Sequence, residues 1–158
     1  MTDLYENHQG DLSNYPCPCC GYFTFTKPPE SHDICSLCFW HDDSYQLRHP
    51  HETGANKVTL IEAQKNYALI GAKEKRILPH VRPVNKSDIR DSTWRPIDLS
   101  IDNFEKHFDL DVALENLTLE EYRTLWEAKN GPTIKNPSDM TRLYYWRDNF
   151  WRQQESGP

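Results

Sequence analysis

Cys17-Pro18-Cys19-Cys20-Gly21 and Cys35-Ser36-Leu37-Cys38-Phe39 are the two stretches that decide how this chain is read. In each, two residues separate a pair of sulfurs, and fourteen residues lie between Cys20 and Cys35. A tight turn aims both sulfurs of a pair to one side, and two such turns bring four thiolates to one tetrahedral ion. Gly21 suits the first turn because glycine enters positive φ without steric penalty. Phe39 holds the equivalent place in the second turn and enters that region less readily. Cys17, Cys20, Cys35 and Cys38 are therefore the expected ligands of one structural Zn2+, with Cys19 as the spare residue of the first turn. Four sulfurs leave no coordination position for water.

Working outward, Tyr22 to Thr26 reads as a strand, Lys27-Pro28-Pro29-Glu30 as a break and His32-Asp33-Ile34 as a short return strand. The expectation is a zinc-ribbon β-hairpin. A disulfide framework fits less well, because five cysteines is an odd number and the residues from Met1 to Asn7 have no basic-then-apolar signal pattern. No apolar run reaches membrane-spanning length, so a reducing cytoplasm is expected. Two alternatives stay open at this point. The first pair could serve redox chemistry, and His32 or His41, which flank the second pair, could replace a cysteine as ligand.

Several blocks occur in order around these cysteines. They are Tyr15 to Tyr22, Cys35 to Asp43, Gly54-Ala55-Asn56, Glu62-Ala63-Gln64, Gly71-Ala72 and Val81-Arg82. Together they resemble the bacterial cysteine-rich CPCC domain over about residues 15 to 84. The chain departs from that pattern at Ser36, where the family usually has proline, and at His41, where it usually has an acid. For function, the resemblance implies a candidate immunity protein encoded beside a toxin gene of a bacterial competition system.

The chain has 158 residues, 37% of them apolar, and 12% aromatic residues with five tryptophans argue for a folded core. The expected fold is α+β: a small zinc-ribbon hairpin packed with a helix, then a mainly helical C-terminal region. Residues 1–14 read as an arm, 15–85 as the cysteine domain, 86–97 as a linker and 98–158 as an acidic helical extension. Thr59 and Glu62 form a capping box that starts a helix. Leu60, Ala63, Tyr67 and Ile70 give it an apolar stripe, and Gly71 ends it. From Lys73 to Ile97 the chain is basic and contains Pro79, Pro83 and Pro96.

The sign then reverses. Between Asp98 and Ala128 nine acids stand against Lys106 and Arg123, a local charge of −7 beside −6 for the whole chain. A short helix is expected from Ile101 to Phe108, capped by Ser100. Another starts at the Thr118–Glu121 capping box and closes at Gly131-Pro132. A last helix follows a Ser138-Asp139 cap, with Met140, Leu143, Tyr144, Phe150 and Trp151 inward and Tyr145 and Trp146 pointing elsewhere.

Catalysis has little to stand on. His41-Asp42-Asp43, with His49 and His51 nearby, could supply a base or a second metal site, and a metal-dependent hydrolase is the least favoured alternative. The chain lacks HExxH, GxSxG and a glycine-rich phosphate loop, so a non-enzyme is expected. A pI near 5.6 opposes nucleic-acid binding. The remaining class is an interaction protein with an acidic surface for a basic partner, and secreted toxin nucleases have basic active sites. The expected partner is a cognate toxin domain. Asp102, Glu105, Asp109, Asp111, Glu115, Glu120 and Glu121 are the expected contacts, with Tyr122 and Trp126 as anchors. The alternative is a structural or regulatory module of a larger assembly.

Overall fold

A computed structural model describes residues 15–104, 118–130 and 137–152. It is α+β, as expected. Two short strands, β1 (Tyr15–Pro16) and β2 (Phe23–Phe25), pair antiparallel with a bulge, Tyr15 opposite Phe25 and Pro16 opposite Phe23. The helices are α1 (Ser44–Arg48), α2 (Leu60–Ile70) and α3 (Leu119–Asn130), with 3-10 turns at Lys75–His80 and Met140–Leu143.

The strands do not pair as the hairpin reading expected. β2 returns onto β1, which precedes the first cysteine turn, and Ile34 bridges to His41 across the second. His32-Asp33-Ile34 is thus not the partner of Tyr22 to Thr26. Each Cys-x-x-Cys turn already reverses the chain, so the residues flanking it are the nearest antiparallel partners.

α2 follows the sequence closely. Thr59 accepts from the Glu62 N–H, Glu62 accepts from the Thr59 N–H, and Gly71 closes the helix at φ 81°. Leu60, Ala63 and Gln64 are buried, while Ile70 is exposed. α3 begins at its expected box, with the Thr118 hydroxyl accepting from the Glu121 N–H and the Glu121 carboxylate accepting from the Thr118 N–H. Gly131-Pro132, its expected stop, lies outside the described residues.

Two expected helices are corrected. Leu99 to Ile101 is a turn rather than a helix start, and it is held by Asp98, whose carboxylate accepts from the Ser100 N–H and hydroxyl. The Ser100 hydroxyl is turned back onto Asp98, a local side-chain bond that competes with its use as a helix cap. The rest of that expected helix, 105–108, lies outside the described residues. From Met140 the chain makes one 3-10 turn, capped by Asp139, and then leaves helical geometry. Leu143, Tyr144, Tyr145 and Trp146 are all buried. Four successive residues on a helix point around most of its circumference, so a helix with one solvent-facing side could not bury them all.

These four side chains join Phe104, Phe150 and Trp151 in one core with the cysteines, Phe25, Leu37, Trp40, Leu47, Leu60 and Ala63. The segment read as a linker is docked as well. Tyr22 bridges to Arg90, the Phe23 N–H donates to the Ile89 carbonyl, and the Asp91 N–H donates to the Gly21 carbonyl. Residues 89–91 therefore run along the first cysteine turn.

Candidate metal centre

The two cysteine turns have the same backbone. In the first, the Gly21 N–H donates to the Cys17 carbonyl at 2.7 Å and the Cys17 N–H to the Tyr22 carbonyl at 2.9 Å. In the second, Phe39 donates to Cys35 at 2.8 Å and Cys35 to Trp40 at 2.9 Å. Both closing residues lie in the left-handed region, Gly21 at φ 83° and Phe39 at φ 70°. The strain expected at Phe39 is present, at roughly 1–2 kcal/mol for an L side chain in that conformation. Its ring lies beside His80, with centroids 5.5 Å apart, and under the Lys73 ammonium at 5.6 Å.

The turns face each other through their sulfurs. Cys17 and Cys38 Sγ are 3.5 Å apart, Cys20 and Cys35 Sγ 3.8 Å, and all four lie within 4.8 Å of one another. A tetrahedral ion with Zn–S bonds of about 2.3 Å has S···S edges of about 3.8 Å. The donor set therefore fits one closed four-thiolate zinc site, and its four cysteines are fully buried. Burial above all, with contributions from the neighbouring thiols, pushes the Cys17, Cys20 and Cys38 thiols up. At Cys35 burial acts the same way but is outweighed by hydrogen bonds from the other three thiols and from Thr24, and its pKa falls well below the ordinary value. Four buried sulfurs without a cation would mostly stay protonated; a divalent ion makes the thiolates the stable form. Zinc held there would cross-link the two turns.

Residues that the cysteine spacing does not reveal complete the surroundings. The Thr24 hydroxyl donates to Cys35 Sγ at 3.2 Å, as does the Leu37 N–H at 3.4 Å. Arg90 Nε donates to the Cys20 carbonyl at 2.8 Å, and Trp94 Nε1 to the Pro18 carbonyl at 3.0 Å. Lys73 is buried; its N–H donates to the Cys38 carbonyl and its ammonium to Asn56 Oδ1 at 2.8 Å. Desolvation lowers the Lys73 pKa. Cys19 is buried and is not one of the four grouped sulfurs.

Asn56 and Gln46 explain why a short block around Gly54 matters to the second turn. Asn56 exchanges hydrogen bonds with the His41 backbone at 2.8 and 2.9 Å, and its N–H and amide both donate to Gln46 Oε1 at 2.8 Å. Gln64 does the same for the first turn: its amide donates to the Pro18 carbonyl and the Tyr145 hydroxyl, and it accepts from the Ile97 N–H.

The other candidate residues fall in different places. His32 and His41 are outside the sulfur group but face each other, Nδ1 to Nε2, at 3.3 Å. Asp42 is buried and accepts from the Ser31 N–H and hydroxyl; desolvation nonetheless raises its pKa. Asp43 caps α1 through the Tyr45 N–H and also accepts from the Ala55 N–H. His49 is buried and His51 exposed. Asp102, expected on a partner surface, instead makes a bidentate ion pair with Arg95 at 2.6 and 2.9 Å, and its side chain is only 2% exposed. Glu120 and Glu121 are exposed on the first turn of α3, and Tyr122 is half-buried. Glu105, Asp109, Asp111, Glu115 and the Trp126 side chain lie outside what the structure describes.

Among the described residues no helix is long and apolar enough to cross a membrane. No curated protein and no solved structure matches the chain. A family model described as Cysteine-rich CPCC matches residues 15–88, running to Asp88, whose carboxylate forms a bidentate pair with Arg82. The four-sulfur centre lies inside that match, and residues 15–88, a little under half of the chain, are similar to the cysteine-rich CPCC domain.

Proposed function

We propose that this chain is a non-catalytic, zinc-stabilised interaction protein, and that it is a cytoplasmic immunity protein whose partner is a basic toxin domain. The observation that carries the non-catalytic part is the closed centre: four fully buried cysteines surround one position, which leaves no coordination site for water or substrate. The carboxylates nearest the second turn also favour it. Asp42 is committed to Ser31 and Asp43 to the α1 cap, as already described.

The immunity part rests on charge and on the family resemblance. The chain carries a net −6, concentrated between Asp98 and Ala128. Complementary charge accelerates encounter and fixes register. With Asp102 spent on Arg95, the expected contact carboxylates that remain among the described residues are Glu120 and Glu121 on α3. The basic segment is largely spent internally: Arg82 pairs with Asp88, Arg95 with Asp102, Arg76 with Glu74, and Lys73 is buried. This pairing favours a protein partner over a phosphate backbone.

A regulatory module of a larger assembly is the second reading, and the loss of Asp102 from the acidic surface favours it. Capture with the tagged full-length chain from its native host separates the two. Co-purification of a basic toxin domain, weakened at least tenfold by E120K/E121K, supports immunity. Recovery of housekeeping assemblies, or full toxin killing of cells that express the chain, overturns it.

A further inference from the structure

Outside the four-sulfur centre, the described residues place one other pair of strong metal ligands together, His32 and His41. Their facing nitrogens, Nδ1 and Nε2, are 3.3 Å apart and the ring planes cross at 71°. Two imidazole nitrogens bound at about 2.0–2.1 Å to one tetrahedral ion lie about 3.3–3.4 Å apart. We propose that His32 and His41 form a second, exchangeable site for a borderline divalent cation such as Zn2+, distinct from the cysteine centre and open to solvent.

Backbone geometry supports the pair. His32 sits at φ 63° and Glu30 at φ 80°, both in the left-handed region that residues with a Cβ seldom occupy. This conformation is held by Asp42, whose carbonyl accepts from the His32 N–H, whose N–H donates to the Asp33 carbonyl and whose carboxylate grips Ser31. His41 is fixed from the other side by Ile34 and by the Asn56 side-chain amide, whose Oδ1 accepts from the His41 N–H and whose Nδ2 donates to the His41 carbonyl. Strain maintained by several independent contacts is a mark of preorganisation. The rings meet at the surface, where His32 is exposed and His41 half-buried.

Imidazole favours zinc, copper and nickel over calcium or magnesium. Two protein ligands leave the other positions to water, so binding there is weaker than at the four thiolates. In the free protein one ring donates its N–H to the other. On metal binding that proton moves, through solvent, to the far nitrogen of its own ring, and both facing lone pairs are then given to the cation. Two neutral rings release no net proton.

The test uses the full-length chain with zinc already in the cysteine centre. Added Zn2+ is followed by calorimetry and by NMR of the imidazole nitrogens. The expected result is a second, weaker binding event of one ion per chain that shifts His32 Nδ1 and His41 Nε2 together. H32A and H41A should each weaken it at least tenfold while keeping the first zinc and the wild-type circular dichroism, and H51A should leave it unchanged. Failure to see a second event overturns the site, as does one that shifts neither nitrogen or persists in H32A and H41A.

Discussion

Gly21 closes the first cysteine turn at φ 83°, and an added Cβ would lie 2.6 Å from the Trp94 ring. Gly21→Ala therefore meets two penalties, about 1–2 kcal/mol for the left-handed backbone and a clash with a ring whose indole N–H is tied to Pro18. A loss of at least about 2 kcal/mol in denaturant unfolding is expected of the zinc-loaded protein, and an unchanged midpoint would refute this account of the turn. The positive φ at Gly21 and the strained one at Phe39 were both legible, because two-residue spacing between ligands dictates the turn. The four ligands were legible for the same reason. The fate of Asp102 was not: its place in an acidic run says nothing about Arg95, seven residues earlier, which takes it out of solvent. His32 and His41 were noted as neighbours of the second turn, but the sequence does not show the left-handed kink at His32 or that the two rings meet nitrogen to nitrogen.

Among the elements, α2 was readable end to end, since capping box, apolar spacing and terminal glycine all agreed. What the pattern did not show is that Gln64, on its buried face, is the polar hub between the first turn, Tyr145 and Ile97. Gln64→Leu keeps the volume but takes the acceptor from the Ile97 N–H and removes one hydrogen bond each from the Pro18 carbonyl, which keeps Trp94, and the Tyr145 hydroxyl, which still donates to the Arg95 carbonyl. A group left unpaired costs about 1–3 kcal/mol and each further hydrogen bond lost about 0.5–1.5 kcal/mol, so a loss of at least about 2 kcal/mol is expected in equilibrium unfolding, and less than about 1 kcal/mol would show that Gln64 is not a hub. The C-terminal aromatic segment misled in the opposite sense. Large residues at helical spacing resemble a buried helix face, yet Tyr144-Tyr145-Trp146 is buried as a continuous run on an irregular backbone. Hydrophobic periodicity cannot report a segment that is buried on every side. The strand at Phe23–Phe25 was legible but its partner was misassigned, because pairing across each cysteine turn involves too few residues to leave a period-two signature.

At the scale of the whole molecule, the core is completed from both ends of the chain. Leu143, Tyr144, Tyr145, Trp146, Phe150 and Trp151 share one cluster with the zinc ligands. Asp91 ties the two parts: it accepts from Trp146 Nε1 and from Arg147 at 3.1 Å each, and from Thr93. Burial raises its pKa, but these hydrogen bonds outweigh it and hold the carboxyl below its ordinary range. A carboxyl with a depressed folded-state pKa contributes stability above its unfolded value of about 3.9 and loses it as pH falls through the folded value. Asp91→Asn should therefore destabilise the zinc-loaded protein at pH 7, by about 1–3 kcal/mol for hydrogen bonds to a charged group, and the difference from wild type should shrink below pH about 4. Zinc removal acts on the same core from inside. Structural zinc contributes about 10–16 kcal/mol of apparent binding energy, as much as or more than the 5–15 kcal/mol by which a typical domain is stable. Chelation should accordingly abolish the near-ultraviolet signal of the aromatic cluster, including the tryptophans contributed from beyond residue 88. If the cysteine domain instead folded independently of the C-terminal segment, a chain ending at residue 104 would keep the thermal midpoint of the full protein when zinc-loaded. The shared core predicts that it melts lower by many degrees or fails to hold its zinc, because truncation removes Leu143, Tyr144, Tyr145, Trp146, Phe150 and Trp151 from the cluster that contains the four cysteines.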